Sequence, residues 1–205
     1  FKFKDGDGPR FALHAETTDK LLVFAENGRF YTLGCDKLPK GRGFGEPLSL
    51  MMDVPADVSL VNILKAKNGK LLVASDQGHG LIVDMDSALA QTRSGKQVLN
   101  LPLGARAVAC CPVEGDHAAV VGQNRRLLIF PLNEIPEMTR GKGVILQRFK
   151  DGTLADVKTF SLANGLSWKM GERTRTETDL LAWQGRRGST GRMPPIGFPR
   201  PARFT

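Results

Sequence analysis

The stretch Lys20-Leu21-Leu22-Val23-Phe24-Ala25-Glu26-Asn27-Gly28-Arg29-Phe30-Tyr31-Thr32-Leu33 decides the fold. Two β-favouring runs flank Asn27-Gly28. Asn-Gly is the strongest short hairpin signal, because a type I′ turn needs positive φ at both central residues. The runs are apolar without alternation, as expected of strands covered on both faces. The unit recurs at Leu71-Leu72-Val73 to Leu81-Ile82-Val83, with Asp76-Gln77-Gly78-His79 at the turn. It recurs again at Ala118-Ala119-Val120-Val121 to Leu127-Leu128-Ile129-Phe130, around Gln123-Asn124-Arg125-Arg126, and in degraded form at Leu166-Ser167-Trp168-Lys169-Met170. Successive units start 50, 47 and 48 residues apart. A constant period of this size signals an array of equal supersecondary units, each burying its apolar face on its neighbours.

Each unit is followed by a short loop that combines glycine with Arg or Lys. The four are Lys40-Gly41-Arg42-Gly43, Arg93-Ser94-Gly95-Lys96, Arg140-Gly141-Lys142-Gly143 and Gln184-Gly185-Arg186-Arg187-Gly188. The chain has 29 Lys plus Arg against 21 Asp plus Glu, a formal charge of +8. The windows 37–46, 91–97, 138–150 and 184–192 hold 12 of the basic residues and one acid, Glu46, so the rest of the chain is net −3. The excess charge therefore travels with the repeat, which is the pattern of a basic stripe for a polyanion rather than of a uniformly solubilising surface. Glycine would let backbone N–H groups approach a phosphate, and flanking Arg or Lys would supply charge and donors. The candidate phosphate-binding residues are Arg42, Arg93, Lys96, Arg140, Lys142, Arg186 and Arg187, with Lys40 and Arg192 beside them.

Further strand candidates complete each unit. Leu48-Ser49-Leu50-Met51-Met52, Gln97-Val98-Leu99-Asn100-Leu101 and Val144-Ile145-Leu146 follow the loops, and Leu60-Val61-Asn62-Ile63-Leu64 and Ala107-Val108-Ala109-Cys110-Cys111 open the next units. Met85–Ala90 and Asn133–Pro136 suit single helical turns. Four strands in about 48 residues make one propeller-type blade. The fold class expected is all-β, with repeats at 10–57, 58–105, 106–153 and 154–192 in one domain of residues 1–192. Phe1-Lys2-Phe3-Lys4 reads as the last strand of an incomplete blade, and Phe1 in place of Met reads as a fragment or processed product. Residues 193–205, with four prolines and two arginines, read as a mobile basic tail.

Catalytic patterns are missing. Tyr31, the only tyrosine, falls in a strand with no acidic cluster beside it. His14, His79 and His117 have no partner at ligand spacing, so no metal is expected. Asp5-Gly6-Asp7 followed by Glu16 has Pro9 and Arg10 where a calcium loop needs a ligand and a glycine, so it is a turn. Cys35, Cys110 and Cys111 read as small apolar residues of a reduced protein. Trp168 and Trp183 read as core rather than stacking platforms, and no run approaches the roughly 20 apolar residues of a membrane span. Arg125 and Arg126 read as exposed turn residues, with an extension of the basic stripe as the alternative; Arg148 and Lys150, flanking Phe149, are candidates for the same stripe.

Several ordered segments resemble the C-terminal domain found in the A subunits of bacterial type IIA topoisomerases. They are Lys37-Leu38-Pro39-Lys40-Gly41-Arg42-Gly43-Phe44-Gly45-Glu46-Pro47-Leu48, Leu72-Val73-Ala74-Ser75-Asp76-Gln77-Gly78-His79-Gly80, and Phe130-Pro131-Leu132-Asn133-Glu134-Ile135-Pro136 running into Arg140-Gly141-Lys142-Gly143. The likeness covers residues 1 to about 192 and is nearest the topoisomerase IV branch. It implies a β-pinwheel, a propeller-like disc whose neighbouring blades exchange an outer strand, with duplex DNA bound and bent around its basic rim. The gyrase branch carries a seven-residue box of Gln, basic residues and glycines in its first blade and wraps DNA tightly. Here Gln184-Gly185-Arg186-Arg187-Gly188-Ser189-Thr190-Gly191 has that composition, but in the last repeat and with broken spacing, so bending rather than wrapping is implied. The resemblance further implies a cytoplasmic, nucleoid-associated enzyme built from paired A and B subunits, using ATP and Mg2+ through other domains; no cofactor is expected in this segment. A gyrase-type wrapping domain and a propeller-type protein-interaction module are the alternatives.

Overall fold

The computed structural model describes residue 11, residues 13–38 and residues 51–205. The strand expected at residues 1–4, the first basic loop with Lys40 and Arg42, and most of the candidate strand at 48–52 lie outside the described residues. The hairpins form where the apolar runs place them. They are β1 (Lys20–Ala25) with β2 (Arg29–Gly34), β4 (Lys70–Ser75) with β5 (His79–Asp84), β8 (His117–Gly122) with β9 (Leu127–Pro131), and β12 (Leu166–Met170) with β13 (Arg173–Glu177). Between them run β3 (Leu60–Lys65), the helical turn α1 (Met85–Ala88), β6 (Lys96–Gln97), β7 (Ala107–Pro112), β10 (Val144–Ile145) and β11 (Leu154–Phe160). The α1 turn starts at Asp84, whose carboxylate accepts the Asp86 N–H at 2.9 Å, and Leu132–Glu134 form a 3-10 turn.

The first two sheets each borrow both outer strands from the repeat that follows. The first has the order β3-β1-β2-β6 and the second β7-β4-β5-β10, so the strand before a hairpin and the strand after it both pair with the previous hairpin. In the third sheet, β11-β8-β9, the fourth place is taken by single bridges from Gln184 to Ile129 and from Arg192 to Leu127. Strand exchange in both directions is why no 48-residue unit is a blade by itself.

The continuous apolar runs are explained by this arrangement. Side chains alternate across a strand, and each hairpin is sandwiched between two neighbours. Leu22 and Phe24 meet Leu71, Val73, Leu81 and Val83 between the first two blades. Leu72 and Ala74 of the same β4 point the other way, onto Ala118, Val120, Leu128 and Phe130. Ala119, Val121, Leu127 and Ile129 then face Leu166 and Trp168. Tyr31 is buried, its hydroxyl accepting from Asn27 Nδ2 at 2.9 Å. The cysteines are free; Cys35 and Cys110 are buried, and burial pushes the Cys111 thiol up to about 12, so they serve as neutral packing groups.

Residues 193–205 are not a free tail. Phe198 and Phe204 are buried beside Trp168, with ring centroids 5.4 Å apart for Trp168–Phe198 and 5.6 Å for Phe198–Phe204. Lys169 N donates to the Phe204 carbonyl at 3.0 Å, so the tail lies along β12 where the opening strand of another repeat would pair. The Asp156 carboxylate accepts the Phe204 N–H at 2.8 Å, as Asn62, two repeats earlier, reaches the Cys110 carbonyl of the next blade. Arg125 donates to the carbonyls of Pro199 (2.7 Å) and Phe198 (3.0 Å). Among the described residues Arg125 is the non-glycine with positive φ, at 68°, in the turn position that Gly28 and Gly78 fill in the earlier hairpins. Its two charge-assisted bonds offset about 1–3 kcal/mol of backbone strain. Proline-rich composition suggested mobility because the tail has only two aromatic anchors, Phe198 and Phe204, with no continuous apolar run between them. Phe204→Ala should lower the unfolding free energy by about 3–5 kcal/mol in urea denaturation; a change within about 0.5 kcal/mol, the surface range, would mean that the tail is not part of the core.

Candidate nucleic-acid interface

The basic loops leave and rejoin a strand edge at equivalent points. On the first blade the chain arrives with Ala90 N donating to Thr32 Oγ1 at 2.8 Å and returns with Lys96 opposite Phe30. On the second it arrives with Met138 N on the Ile82 carbonyl at 2.8 Å and returns with Val144 opposite Gly80. On the third it arrives with Gly185 N on the Ile129 carbonyl at 2.9 Å and returns with Arg192 opposite Leu127. Departure points 32, 82 and 129 and return points 30, 80 and 127 step by the same 50 and 47 residues as the hairpins. Each loop is thus a bulge over two residues of an edge strand, thrown outward.

The residue before each return is Gly95, Gly143 or Gly191, with φ of 75°, 79° and 79°. A Cβ there would come within 2.7 Å of the Phe30 carbonyl oxygen, 2.2 Å of Gly80 O and 2.6 Å of Leu127 O. The glycines at these three positions are therefore required by the return to the strand. Neighbouring glycine amides are also occupied: Gly141 N donates to Val98 O at 2.9 Å and Gly188 N to Leu146 O at 2.8 Å.

Those bonds join one loop to the next. Asn100 N donates to Gly141 O at 2.8 Å, and Arg140 Nε to Asn100 Oδ1 at 3.1 Å. Further round, Arg187 Nη1 donates to Ile145 O at 2.8 Å, Arg148 N to Ser189 O at 3.2 Å and the buried Gln147 Nε2 to Thr190 O at 3.1 Å. The result is one belt along the outer edges of three blades.

The expected residues divide by what their side chains do in that belt. Arg93, Lys96, Arg140, Lys142, Arg186 and Arg192 are exposed or half-exposed on it. Arg93 lies 3.6 Å from Asp53, an exposed pair that solvent screens, and Lys96 Nζ donates to Ser87 O at 2.5 Å. Arg187 is half-buried and spends a guanidinium N–H on Ile145, so it ties loops together. Arg148 and Lys150 are exposed just after the second-blade loop. Trp168 is core; Trp183 is half-exposed with Nε1 donating to Met193 O at 2.7 Å. Arg29 was not among the expected residues, yet its Nη1 donates to Ser94 O at 3.1 Å; Arg126, expected at an exposed turn with the stripe as the alternative, donates from Nη1 to Gly191 O at 3.3 Å. The available signal was their repeat spacing, through His79, of 50 and 47 residues.

Away from the belt, the inner strands carry a cleft of about 240 Å³ lined by Glu26, Arg106 and Gln123 among apolar residues. Its Arg106 is shared between Glu26 at 3.6 Å and Asp76 at 4.0 Å. Among the described residues no cluster of His, Cys, Asp or Glu is placed to hold a metal ion, and no helix is long and apolar enough to cross a membrane.

Comparison with known proteins agrees with this geometry. The family model "DNA gyrase C-terminal domain, beta-propeller" matches residues 19–67 and 116–161, which contain the first and third hairpins. The C-terminal domain structure of Escherichia coli ParC superposes with a TM-score of 0.80 at 26% identity, covering 95% of this chain and 84% of that one. A gyrase A C-terminal domain structure superposes at 0.68 with 19% identity over 94% of this chain and 65% of its own, a likeness of fold alone. The family match and the ParC superposition define the class: the C-terminal β-propeller domain carried by type II topoisomerase A subunits. The DNA topoisomerase 4 A subunit of Rickettsia bellii is 45% identical over 205 residues, all of this chain, and that of Caulobacter vibrioides 44% identical over 99% of it. The chain belongs to the family of topoisomerase IV A subunits, and it spans 28% and 27% of the length of these two relatives.

Gly143→Ala should cost at least about 2 kcal/mol, since it adds a clash to an unfavourable φ. Gly104→Ala is the control: its φ of 82° is similar, but nothing lies within 4 Å of the added Cβ. Equal losses for the two in urea denaturation would show that the carbonyl contact is unimportant.

Proposed function

We propose that this domain binds duplex DNA along its belt without reading sequence, bends it across several blades, and presents it to the strand-passage core of a topoisomerase IV. The observation that supports this reading most directly is the hydrogen-bonded continuity of three basic loops on equivalent blade edges. Exposed Arg and Lys heads on a shared backbone scaffold suit phosphate oxygens, whose contacts set position and carry no sequence information. Each loop offers only two or three cations, so affinity comes from engaging several blades, and a duplex held at several points on a curved edge is bent. The absence of a gyrase-like box from the early repeats favours bending over wrapping.

The rest of the reading concerns the intact enzyme. Two A and two B subunits would supply the DNA-cleaving tyrosine, ATP hydrolysis and Mg2+ through other domains, in the cytoplasm and on nucleoid DNA. The present domain would tune decatenation and supercoil relaxation by holding one duplex segment close to the core. Lys40 and Arg42, outside the described residues, belong to the same proposal by their place in the repeat.

Fluorescence anisotropy with two duplexes of unrelated sequence tests it. With about 6–10 phosphates engaged, affinity should fall by about 10³–10⁵ between 50 and 200 mM salt, equally for both. A flat salt response, or a strong preference for one duplex, would contradict it. Arg186→Gln should weaken both complexes alike and reduce the salt slope by about 1. Arg187→Gln should instead weaken binding with less change in slope, because its guanidinium holds the belt together.

A further inference from the structure

The loops and hairpins share out one fixed cation per blade, and the second blade does it differently. The hairpin position just after the left-handed turn residue is Arg29, His79 and Arg126 in successive blades. The loop position just before the returning glycine is Ser94, Lys142 and Thr190. In the first and third blades a hairpin arginine reaches the loop, at Ser94 O and Gly191 O, and the loop residue is neutral. In the second blade the permanent charge has moved to the loop as Lys142, and the hairpin holds a histidine.

We propose that His79 is a proton-linked element of the DNA-binding belt, taking up a proton when a phosphate backbone neutralises Lys142, so that the second blade grips more tightly as pH falls. This rests on the DNA-binding reading above. His79 sits in β5, opposite Ile145 of β10, and is half-buried. Its Nδ1 is buried without a hydrogen-bond partner among the described residues. Burial first, and then the charge of Lys142, hold the imidazole below its ordinary range, while a backbone contact at Gln77 works against them. From β4 comes the neutral Ser75 hydroxyl, which accepts the His79 backbone N–H at 3.3 Å. From the β10 side come Lys142 and the Ile145 carbonyl, which carries the Arg187 guanidinium. The nearest charge to His79 is therefore cationic and, with burial, disfavours a proton on the free ring.

The sign follows directly. A phosphate at Lys142 cancels the positive field and adds a negative one, so the bound ring protonates more easily than the free ring. Binding then takes up protons, and affinity rises as pH drops through the histidine range. A displacement of one pKa unit between free and bound states corresponds to tenfold in affinity.

The test uses the 205-residue chain and one duplex at fixed low salt. Between about pH 8 and pH 6 the wild-type Kd should tighten by about three- to tenfold. His79→Gln should lose that increment, and His79→Arg should bind at the higher pH about as well as the wild type does at the lower. Histidine-ring NMR gives an independent readout, with the His79 pKa rising on addition of duplex while His14 and His117 serve as references. The same pH dependence in wild type and His79→Gln, together with an unmoved ring, would overturn the linkage while leaving DNA binding intact. Absence of duplex binding at every pH would overturn both.

Discussion

A chain that leaves the edge of a strand and rejoins it two residues along must turn beside a carbonyl it cannot avoid. In this domain the turn is made at Gly95, Gly143 and Gly191, each left-handed and each closer to the carbonyl of residue 30, 80 or 127 than a Cβ allows. That contact fixes where the outer strand resumes and therefore where the basic loop stands. Blade exchange, loop spacing and the position of the cations all depend on it. The glycines that look like a binding motif are thus the foundation of the surface, and the charges are what it carries.

Because each loop rests on the preceding blade and bonds to the neighbouring loop, the belt has no independently hinged part among the described residues. Val98, Asn100 and Gly141 lock the first two loops, and Ile145, Leu146 and Arg148 lock the next. A partner that engages one loop meets the next already in place, which reduces the ordering cost of multipoint binding. The far end is finished differently. Fourth-blade residues Ser167, Lys169, Thr174 and Thr176 alternate with the side chains that face Trp168, and the tail covers the inner edge of β12 through Phe204. A polar face here leaves no apolar layer of this blade exposed.

The hairpins and the repeat were legible because double burial produces unbroken apolar runs and because Asn27-Gly28 has few other uses. Val144–Ile145 falls inside an expected strand, whereas β6 at Lys96–Gln97 overlaps its candidate, 97–101, only at Gln97; local pattern named neither as a partner of the previous hairpin, and only the family resemblance implied an exchanged strand. Pairing across a repeat leaves no mark on local pattern. Loop charge was visible from counting alone. The split between exposed cations and Arg187, which bonds to Ile145, was not, since both kinds sit in the same Gly-Arg context. The tail was misread because its order comes from distant partners, Arg125, Asp156 and Trp168, rather than from its own periodicity. Arg29 and Arg126 required placing the repeats in register residue by residue.

The central claim is that the three described loops form one DNA-binding surface. Amide chemical-shift mapping during titration with a short duplex tests it most directly. Residues 92–96, 140–144 and 186–192 should shift together, along one binding curve, while the fourth-blade face around Ser167 and Thr176 stays still. Shifts confined to a single loop, or concentrated on the blade faces or the inner cleft at Glu26 and Arg106, would contradict it.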